Sequence, residues 1–457
     1  MRYVSTRGET PPQRFQDAVL MGLAPDGGLL VPETIPDVRA HLDAWRGLSF
    51  PELATEIITL FCDDIPRADL EALVRRSYAT FDTPDVAPLV PVGDLQVLEL
   101  WHGPTLAFKD VALQLLGNLF EYILDARGET LNILGATSGD TGSAAIAGTR
   151  GRRNIDVFVM YPQGRTSRIQ ELQMTTVPDA NVHMLAIDGS FDDCQAILKS
   201  TFRDLPFKEQ FHLGAVNSVN WARVLAQIVY YFHAALALRD DGGPVTFSVP
   251  TGNFGDIFAG WLAARMGLPI DRLVLATNEN DILSVFFNSG VYRRGQVHFT
   301  VSPSMDIQVA SNFERFLYYR LGEDPVRLAR EMAAFAASGE LVLDDGEAID
   351  PLIRARAVGA DETLATIRET WSSAHYLLDP HTAVGVAAGR ALRTEAPLVC
   401  LATAHPAKFP ESVLRAVGED LAHHPKVDGL AELPTRSTPL PADEAVVKAF
   451  IREHARS

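Results

Sequence analysis

The feature that most restricts the fold of this chain is an alternation of short apolar runs with amphipathic stretches. From Leu95 onward, the apolar runs have the length and composition of buried strands, at residues 131–134, 157–161, 182–187, 245–249, 273–277 and 398–403. Strands that alternate with helices form right-handed βαβ units and a parallel sheet covered by helices on both faces. The sequence therefore predicts an α/β fold, with ligands bound at the carboxyl ends of the strands.

One lysine is a candidate for chemistry. Lys109 follows Leu106, Ala107 and Phe108 and stands just before a predicted helix. Burial among such residues disfavours the ammonium form and lowers the lysine pKa, which makes the amine a nucleophile suited to Schiff-base chemistry. A single lysine is more often a surface residue whose aliphatic stem packs on apolar groups. The assignment therefore depends on the loops that follow.

Two glycine-rich loops each lie between a predicted strand and a predicted helix, at residues 135–142 and 250–256. Such a turn leaves backbone N–H groups free at a helix start, where they bind phosphate or carboxylate. The first loop taken alone is equally well explained as a tight strand–helix turn, and the second has neither a Walker lysine nor G-x-G-x-x-G spacing. A lysine together with a phosphate-binding loop is the combination that pyridoxal phosphate needs.

These segments resemble the threonine synthase family in its longer bacterial and fungal form, and the resemblance covers nearly the whole chain. Further matching segments are residues 2–8, 24–29, 302–307, 311–315, 379–385 and 402–409. Each segment is moderately specific, and their common order carries the resemblance. It implies an α/β fold-type-II pyridoxal-phosphate enzyme, tryptophan synthase β-like, with two lobes of parallel sheet and a separate N-terminal domain.

The resemblance and the turn pattern together suggest the domain organisation. Residues 1–95 are expected to form the N-terminal domain, with amphipathic helices at 50–61 and 68–79 and a linker punctuated by Pro84, Pro88 and Pro91.

Residues 96–457 are expected to form the catalytic core that binds pyridoxal phosphate. Within it, the resemblance places a small lobe at about 130–220 and a helical segment at 301–360 in the larger half.

The resemblance also assigns residues to the cofactor. Lys109 would bond to it and then act as general base and acid. Thr403 would face the pyridine nitrogen, which a hydroxyl cannot keep protonated as an aspartate would, and Asp140 would lie near the phenolic oxygen, where related sulfhydrylases have asparagine. The phosphate would be held by Gly252, Asn253, Phe254, Gly255 and Asp256. Asp256 is expected to cap the following helix or to orient loop N–H groups, since a carboxylate facing the phosphate would repel it.

The implied substrate is O-phospho-L-homoserine, which has a carboxylate and a phosphate to be bound. Residues assigned to it by resemblance are Thr137, Ser138, Thr141, Asn217, Arg165, Arg223 and Lys408. Surface arginines remain an equal alternative for Arg165 and Arg223. His381 and His405, each next to a proline, are expected to support loops and not to transfer protons.

Composition excludes several classes of partner. With 40 Lys and Arg against 58 Asp and Glu, the net charge of −18 argues against nucleic acid or an anionic membrane. No apolar run approaches the roughly 18 residues of a membrane span, and no signal peptide is expected. Cys62, Cys194 and Cys400 lie far apart, as in a reducing compartment, and the histidines lack metal-ligand spacing. A cytoplasmic, metal-free protein is expected, as monomer or homodimer.

The activity implied by the resemblance is that of threonine synthase, a carbon–oxygen lyase that converts O-phospho-L-homoserine and water into L-threonine and phosphate. Three alternatives stay open at this point: a phospho-lyase that releases a 2-oxo acid, a threonine or serine dehydratase, and a non-enzymatic protein that binds pyridoxal phosphate. The intact substrate-side loop argues against the last.

Overall fold

The structure, a computed structural model, describes residues 1–137, 139–238 and 242–456. Its N-terminal domain has one antiparallel pair of short strands and four helices: β1 (Tyr3–Ser5), α1 (Phe15–Met21), β2 (Leu30–Pro32), α2 (Leu42–Trp45), α3 (Phe50–Phe61) and α4 (Arg67–Tyr78). The two predicted helices are confirmed as α3 and α4. A capping box between Ser49 and Glu52 fixes the start of α3.

The core that follows contains the remaining strands and helices. The strands are β3 (Leu89–Val92), β4 (Leu95–Glu99), β5 (Leu131–Ala136), β6 (Ile155–Pro162), β7 (Val182–Asp188), β8 (Leu213–Gly214), β9 (Val245–Pro250), β10 (Ile270–Thr277), β11 (Val291–Arg293), β12 (Glu340–Val342), β13 (Ile353–Ala357), β14 (Leu398–Ala402) and β15 (Thr438–Pro441). The first helices are α5 (Lys109–Arg127), α6 (Asp140–Thr149), α7 (Arg168–Thr175), α8 (Phe191–Arg203), α9 (Leu205–Gln210), α10 (Trp221–Leu238), α11 (Gly255–Arg265) and α12 (Ile282–Ser289). The last are α13 (Phe313–Arg320), α14 (Pro325–Ser338), α15 (Asp345–Ala348), α16 (Ala360–Ala374), α17 (Pro380–Ala391), α18 (Pro410–Val417), α19 (Pro425–Asp428) and α20 (Glu444–His454). The six strands predicted from the apolar runs are all confirmed.

The larger lobe is built on a six-stranded sheet in the order β13-β10-β9-β14-β4-β3. Neighbours are parallel except β3, which is antiparallel to β4 at the edge. The prediction of a linker around Pro91 is wrong, because Pro91 lies within β3 and pairs with Gln96. An edge strand tolerates proline, since its missing N–H leaves no ladder bond unmade inside the sheet.

The smaller lobe is built on a five-stranded parallel sheet in the order β15-β7-β6-β5-β8. Four of these strands lie within the range predicted for the lobe, 130–220. The fifth, β15, comes from the C-terminal part of the chain and adds to the edge at β7. Its short sequence, with prolines at positions 439 and 441, has no apolar alternation that would predict a strand.

The segment 301–360 is only partly helical. It contains α13 and α14 as expected, but β12 and β13 contradict the prediction of a helical segment. β13 pairs with β10 at the edge of the larger sheet, with Ile353 opposite Leu273. β13 has the alternation of a strand, with Arg354 and Arg356 between apolar residues, but its five residues are too few for the pattern to stand out in a segment expected to be helical.

The N-terminal domain is joined to the larger lobe by a continuous buried cluster. Side chains of α3 and α4 pack in the same cluster as those of α5 and α10. The Tyr3 hydroxyl donates to the Phe61 carbonyl at 2.6 Å and accepts from Trp221 Nε1 at 3.1 Å. No helix of the described residues has the length and apolarity to cross a bilayer.

Candidate active site

A cleft lies at the carboxyl ends of β9 and β14, beside the start of α5. This is the edge at which a parallel sheet binds ligands. The predicted site residues that line it are Lys109, Thr141, Arg223, Gly252, Asn253, Phe254, Gly255, Asp256 and Thr403. Lys109, the loop at 252–256 and Thr403 meet here because β4, β9 and β14 before them end at the same edge of the larger sheet. Thr141 and Arg223 follow strands of the smaller sheet, so the cleft also joins the two lobes.

The loop before Lys109 is held against the end of β14. The Phe108 N–H donates to the Thr403 carbonyl at 2.8 Å, and the His405 N–H donates to the Leu106 carbonyl at 3.1 Å. Leu106 adopts a positive φ of 59°, an uncommon conformation that turns the chain into α5. These main-chain bonds set the position from which the Lys109 side chain enters the cleft.

The electrostatic surroundings of Lys109 favour a partly neutral amine. Burial lowers the pKa of Lys109, Asp140 opposes this with its Oδ2 3.7 Å from Nζ, and the charges of Lys408 and Arg223 lower the pKa further. A lowered pKa enlarges the fraction of the amine that is unprotonated, which is the form that a nucleophile or general base requires.

Asp140, the first residue of α6, is an ionised carboxylate. Burial would raise its pKa, but Lys408 and Lys109 hold the pKa well below the ordinary value. Lys408 Nζ lies 2.7 Å from Oδ1, which also accepts from Gln170 Nε2 at 3.0 Å, and Ser304 Oγ donates to Oδ2 at 3.3 Å. The carboxylate thus carries a full charge beside Lys109 and has partners on several elements.

The loop between β9 and α11 presents free backbone donors. The N–H groups of Gly252, Asn253 and Phe254 donate none of the main-chain hydrogen bonds found among the described residues. The Asn253 carbonyl accepts from the Asn312 N–H at 3.0 Å, which fixes the loop from outside the cleft. Phe254 has φ 64° and precedes Gly255, so the chain enters the helix through a strained residue. These donors at a helix start suit an anion.

The predicted capping role of Asp256 is wrong. Its carboxylate makes no cap on α11, and Oδ1 instead accepts from the Tyr230 and Tyr231 hydroxyls at 2.6 and 2.8 Å. Burial raises the pKa of Asp256 to about 6, although both tyrosine hydrogen bonds act in the opposite direction. Because α10 packs on α11 and brings these hydroxyls to the helix start, the carboxylate turns to α10.

Arg223 presents buried donors without protein partners to the cleft. Its Nε and Nη1 atoms are buried and make no hydrogen bond, and burial lowers its pKa to about 10. A guanidinium taken out of water is costly unless an anion or acceptors satisfy it. Arg223 is therefore a strong candidate for binding an anionic ligand group.

Together these features fit pyridoxal phosphate. Lys109 offers an amine for the carbonyl carbon, the loop from Gly252 to Asp256 offers free N–H groups for the phosphate, and Thr403 offers a hydroxyl at the end of β14. At the beginning of α6, the N–H groups of Asp140 and Thr141 donate no main-chain hydrogen bond within the part of the chain that the structure describes, and they remain for a further anion.

Thr403→Val tests the assignment of this hydroxyl to the pyridine nitrogen. The substitution keeps the shape and removes one hydrogen bond, so we expect a loss of about 1–3 kcal/mol, mainly in kcat. The cofactor should stay bound through its phosphate, as measured by absorption after gel filtration. Thr382→Val is a matched control: its hydroxyl accepts from the Thr403 N–H at 3.2 Å behind the site. Unchanged kinetics in Thr403→Val would contradict contact with the ring.

Two residues predicted to bind substrate organise loops instead of lining the cleft. The Thr137 hydroxyl accepts from the N–H groups of Gly139 and Gly142 at 3.1 and 3.2 Å. Asn217 Oδ1 accepts from the Val219 N–H at 3.2 Å. Neither residue lines the cleft, and their contact with substrate stays a prediction.

The structure separates the remaining predicted substrate residues. Thr141 lines the cleft, Arg165 is exposed outside it, and Ser138 lies outside the described residues. Lys408 is buried and points to Asp140, and it does not line the cleft. A role for Arg165 or Lys408 in binding phosphate is thus without support from their positions.

Both histidines have the supporting geometry expected of them. His381 Nδ1 lies 2.9 Å from Asp379 Oδ1, and its Nε2 accepts from the Ser304 N–H at 3.1 Å. His405 Nδ1 accepts from the Ala407 N–H at 3.1 Å, and burial lowers the pKa of His405 to about 4.

Sequence reasoning missed several uncharged residues that line the cleft: Ser218, Gln227, Ser304 and Met305. They carry neither charge nor glycine spacing, so no local pattern singles them out. Membership of the family-like segment 302–307 was the available signal for Ser304 and Met305.

Comparison with known proteins gives a consistent result along the chain. Family models match for the threonine synthase N terminus at residues 2–78, for pyridoxal-phosphate dependent enzymes at 88–352, and for the threonine synthase C-terminal part at 382–451. Threonine synthase from Pseudomonas aeruginosa is 49% identical, with 99% of this chain and 98% of that protein covered. The Schizosaccharomyces pombe threonine synthase is 46% identical, with 90% and 88% covered.

Solved structures agree. Pyridoxal-phosphate-bound threonine synthase from Brucella melitensis superposes with a TM-score of 0.97 at 48% identity, covering 100% of both chains. Yeast threonine synthase gives 0.94 at 43% identity, covering 99% of this chain and 98% of that one. The predicted fold-type-II architecture with an N-terminal domain and the predicted cofactor are confirmed. The chain therefore belongs to the threonine synthase family and is a pyridoxal-phosphate-dependent enzyme.

Proposed function

We propose that the chain converts O-phospho-L-homoserine and water into L-threonine and phosphate. The observation that carries the proposal is the composition of the cleft: a lysine with a lowered pKa lies among unpaired donors for more than one anion. The loop at Gly252–Asp256 suits the cofactor phosphate, while the start of α6 and the Arg223 guanidinium remain for the substrate's carboxylate and phosphate. A dehydratase of threonine or serine has no use for a second phosphate site.

The roles of the chain's own residues follow from their positions. When bound, pyridoxal phosphate supplies an electron sink for negative charge developing on substrate carbon. Lys109 Nζ, in its neutral form, takes a proton from carbon and returns one later. Asp140, 3.7 Å from Nζ, stabilises the ammonium formed in between. Arg223 would stabilise charge on the departing phosphate, and Thr403 would hold the pyridine nitrogen of the cofactor through its hydroxyl.

The decisive experiment is a product analysis of the purified holoenzyme with O-phospho-L-homoserine. We expect phosphate and L-threonine in a one-to-one ratio. Phosphate accompanied by a 2-oxo acid would instead identify a phospho-lyase, and a 2-oxo acid formed from added threonine or serine would identify a dehydratase. Substrate binding without any product would leave the non-enzymatic alternative.

Arg223→Gln tests the assignment of the substrate phosphate. Loss of charge-assisted hydrogen bonds should lower kcat/KM by about 1.5–3 kcal/mol, or roughly 10- to 150-fold. Arg165→Gln, at an exposed position outside the cleft, is the matched control and should change little. Cofactor content is measured in parallel, because a loss confined to cofactor retention would place Arg223 on the cofactor phosphate. A larger loss of kcat/KM in Arg165→Gln than in Arg223→Gln would assign the substrate phosphate to Arg165 instead.

We further propose a cytoplasmic location and a monomeric or homodimeric state. All three cysteines are buried and unpaired, which suits a reducing compartment. Light scattering on the holoenzyme measures the mass, and a tetramer or larger assembly would contradict the proposal.

A further inference from the structure

Lys408 occupies an unusual position for a lysine. It ends the short helical turn Pro406–Lys408 that follows β14, and its side chain is completely buried. Nζ lies 2.7 Å from Asp140 Oδ1 and donates to the Thr105 carbonyl at 2.8 Å. Two of its three N–H groups are thus used by the protein itself, away from the cleft lining.

Both acceptors of Lys408 lie where the two lobes meet. Asp140 begins α6, which follows β5 of the smaller sheet, whereas Lys408 follows β14 of the larger sheet. The Thr105 carbonyl also accepts from Gln173 Nε2 of α7 at 3.1 Å. Ser304, which lies between β11 and α13, donates to the other Asp140 oxygen. The carboxylate therefore joins groups from both lobes at the point nearest Lys109.

With Lys109 neutral, the charges at this point balance only when Lys408 is counted. Lys109 is faced by the carboxylates of Asp140 and Asp110 and by the cations of Lys408 and Arg223. Without Lys408, Asp140 would keep one cation, Lys109, and the two would form a closed pair. Such a pair holds the lysine as an ammonium, which is inactive as a base.

We propose that Lys408 is a positioning residue: it binds Asp140 across the lobe boundary, so that the carboxylate lies beside Lys109 without holding its amine as an ammonium. The proposal rests on the proposed function only in taking Lys109 as the reacting lysine. It replaces the prediction that Lys408 binds the substrate phosphate.

The test is a pH titration of the holoenzyme's absorption spectrum without substrate, for the wild type and Lys408→Met. Loss of the neighbouring cation should raise the pH midpoint of the spectral change of the lysine-bound cofactor by about one pH unit. Asp140→Asn removes the anion and should shift the midpoint the other way. Lys408→Arg, which keeps the charge, should restore most of the wild-type midpoint. Opposite shifts from the two neutral substitutions are not expected of a merely structural role.

Lys426→Met is the matched control, because Lys426 pairs with Asp82 and donates to the Gly103 carbonyl of the same loop without touching Asp140. Its midpoint should equal that of the wild type. An unshifted midpoint in Lys408→Met would overturn the proposal. If Lys408→Met fails to retain cofactor, the midpoints of Lys408→Arg and Asp140→Asn test the proposal in its place. An unshifted midpoint in Asp140→Asn would overturn the proposal equally.

Steady-state kinetics with O-phospho-L-homoserine give a second readout. A tenfold smaller neutral fraction of the amine should lower kcat about tenfold at neutral pH in Lys408→Met, with KM retained. Weaker inhibition by inorganic phosphate with a raised KM and unchanged kcat would instead make Lys408 a phosphate ligand. The spectral titration needs no substrate, so its outcome is independent of whether the proposed reaction is correct.

Discussion

Lys109→Ala should leave a folded protein that has lost turnover and the covalent link to its cofactor. Proton transfer by a positioned base is worth about 10²- to 10⁴-fold by itself, and loss of the covalent attachment adds to this. Folding should survive, because Asp140 keeps Lys408 as its partner at 2.7 Å.

Three measurements check this result: product formation, the absorption band of the lysine-bound cofactor, and peptide mapping after borohydride reduction. The reduced wild-type enzyme should carry the cofactor on the peptide containing Lys109, and the variant should carry none. Lys199→Ala, at an exposed position on α8, is the control and should behave as wild type. Normal turnover in Lys109→Ala would refute the assignment of the catalytic lysine.

Arg315→Met should destabilise the fold more than any surface substitution. The guanidinium is completely buried, and burial lowers its pKa to about 9. Nε donates to the Leu30 carbonyl at 3.1 Å, and the two terminal nitrogens donate to Asn312 Oδ1 and the Val219 carbonyl. Methionine fills much of the volume but leaves three buried acceptors unsatisfied.

The expected loss is about 3–5 kcal/mol in the free energy of unfolding, since the cost of the unmade hydrogen bonds exceeds the gain from no longer burying a charge. Cofactor affinity should fall too, because Asn312 also donates to the Ser218 and Asn253 carbonyls beside the phosphate loop.

Urea unfolding followed by circular dichroism measures the stability of this variant. Arg330→Met, an exposed position on α14, is the control and should stay within about 0.5 kcal/mol of the wild type. Arg315→Lys should be intermediate, because an ammonium cannot reach all three acceptors in the same planar arrangement. Equal stability of Arg315→Met and the wild type would show that the three acceptors find other partners.

The elements and the central site could be predicted because their signals are local. A buried strand needs a short apolar run, and an anion-binding turn needs glycines at a helix start, so the strands at 245–249 and 398–403 and the loop at 250–256 are visible in the sequence. The order of these segments also suffices for assigning the family, since a family's motifs keep their order along the chain.

Partners of charged side chains were not predictable in the same way. Lys408 has a lysine's reach and charge, which suited a phosphate, until the fold placed it 2.7 Å from Asp140. Asp256 is of a residue type that caps helices and lies at a helix start, but the hydroxyls of two tyrosines on α10 donate hydrogen bonds to its carboxylate oxygen. In both cases the observed partner lies on an element distant in sequence, and the fold brings it within hydrogen-bond distance of the side chain.

The sequence by itself therefore determines which segments form strands, helices and anion-binding turns in this chain, and which lysine is the candidate for cofactor chemistry. Only the tertiary structure decides that β15 completes the smaller sheet, that Arg223 has buried N–H groups without a protein partner, and that Lys408 forms an ion pair with Asp140. The physical reason is range: backbone conformation and amphipathic periodicity act over a few residues, whereas burial and ion pairing depend on atoms that the chain brings together only when the lobes have packed.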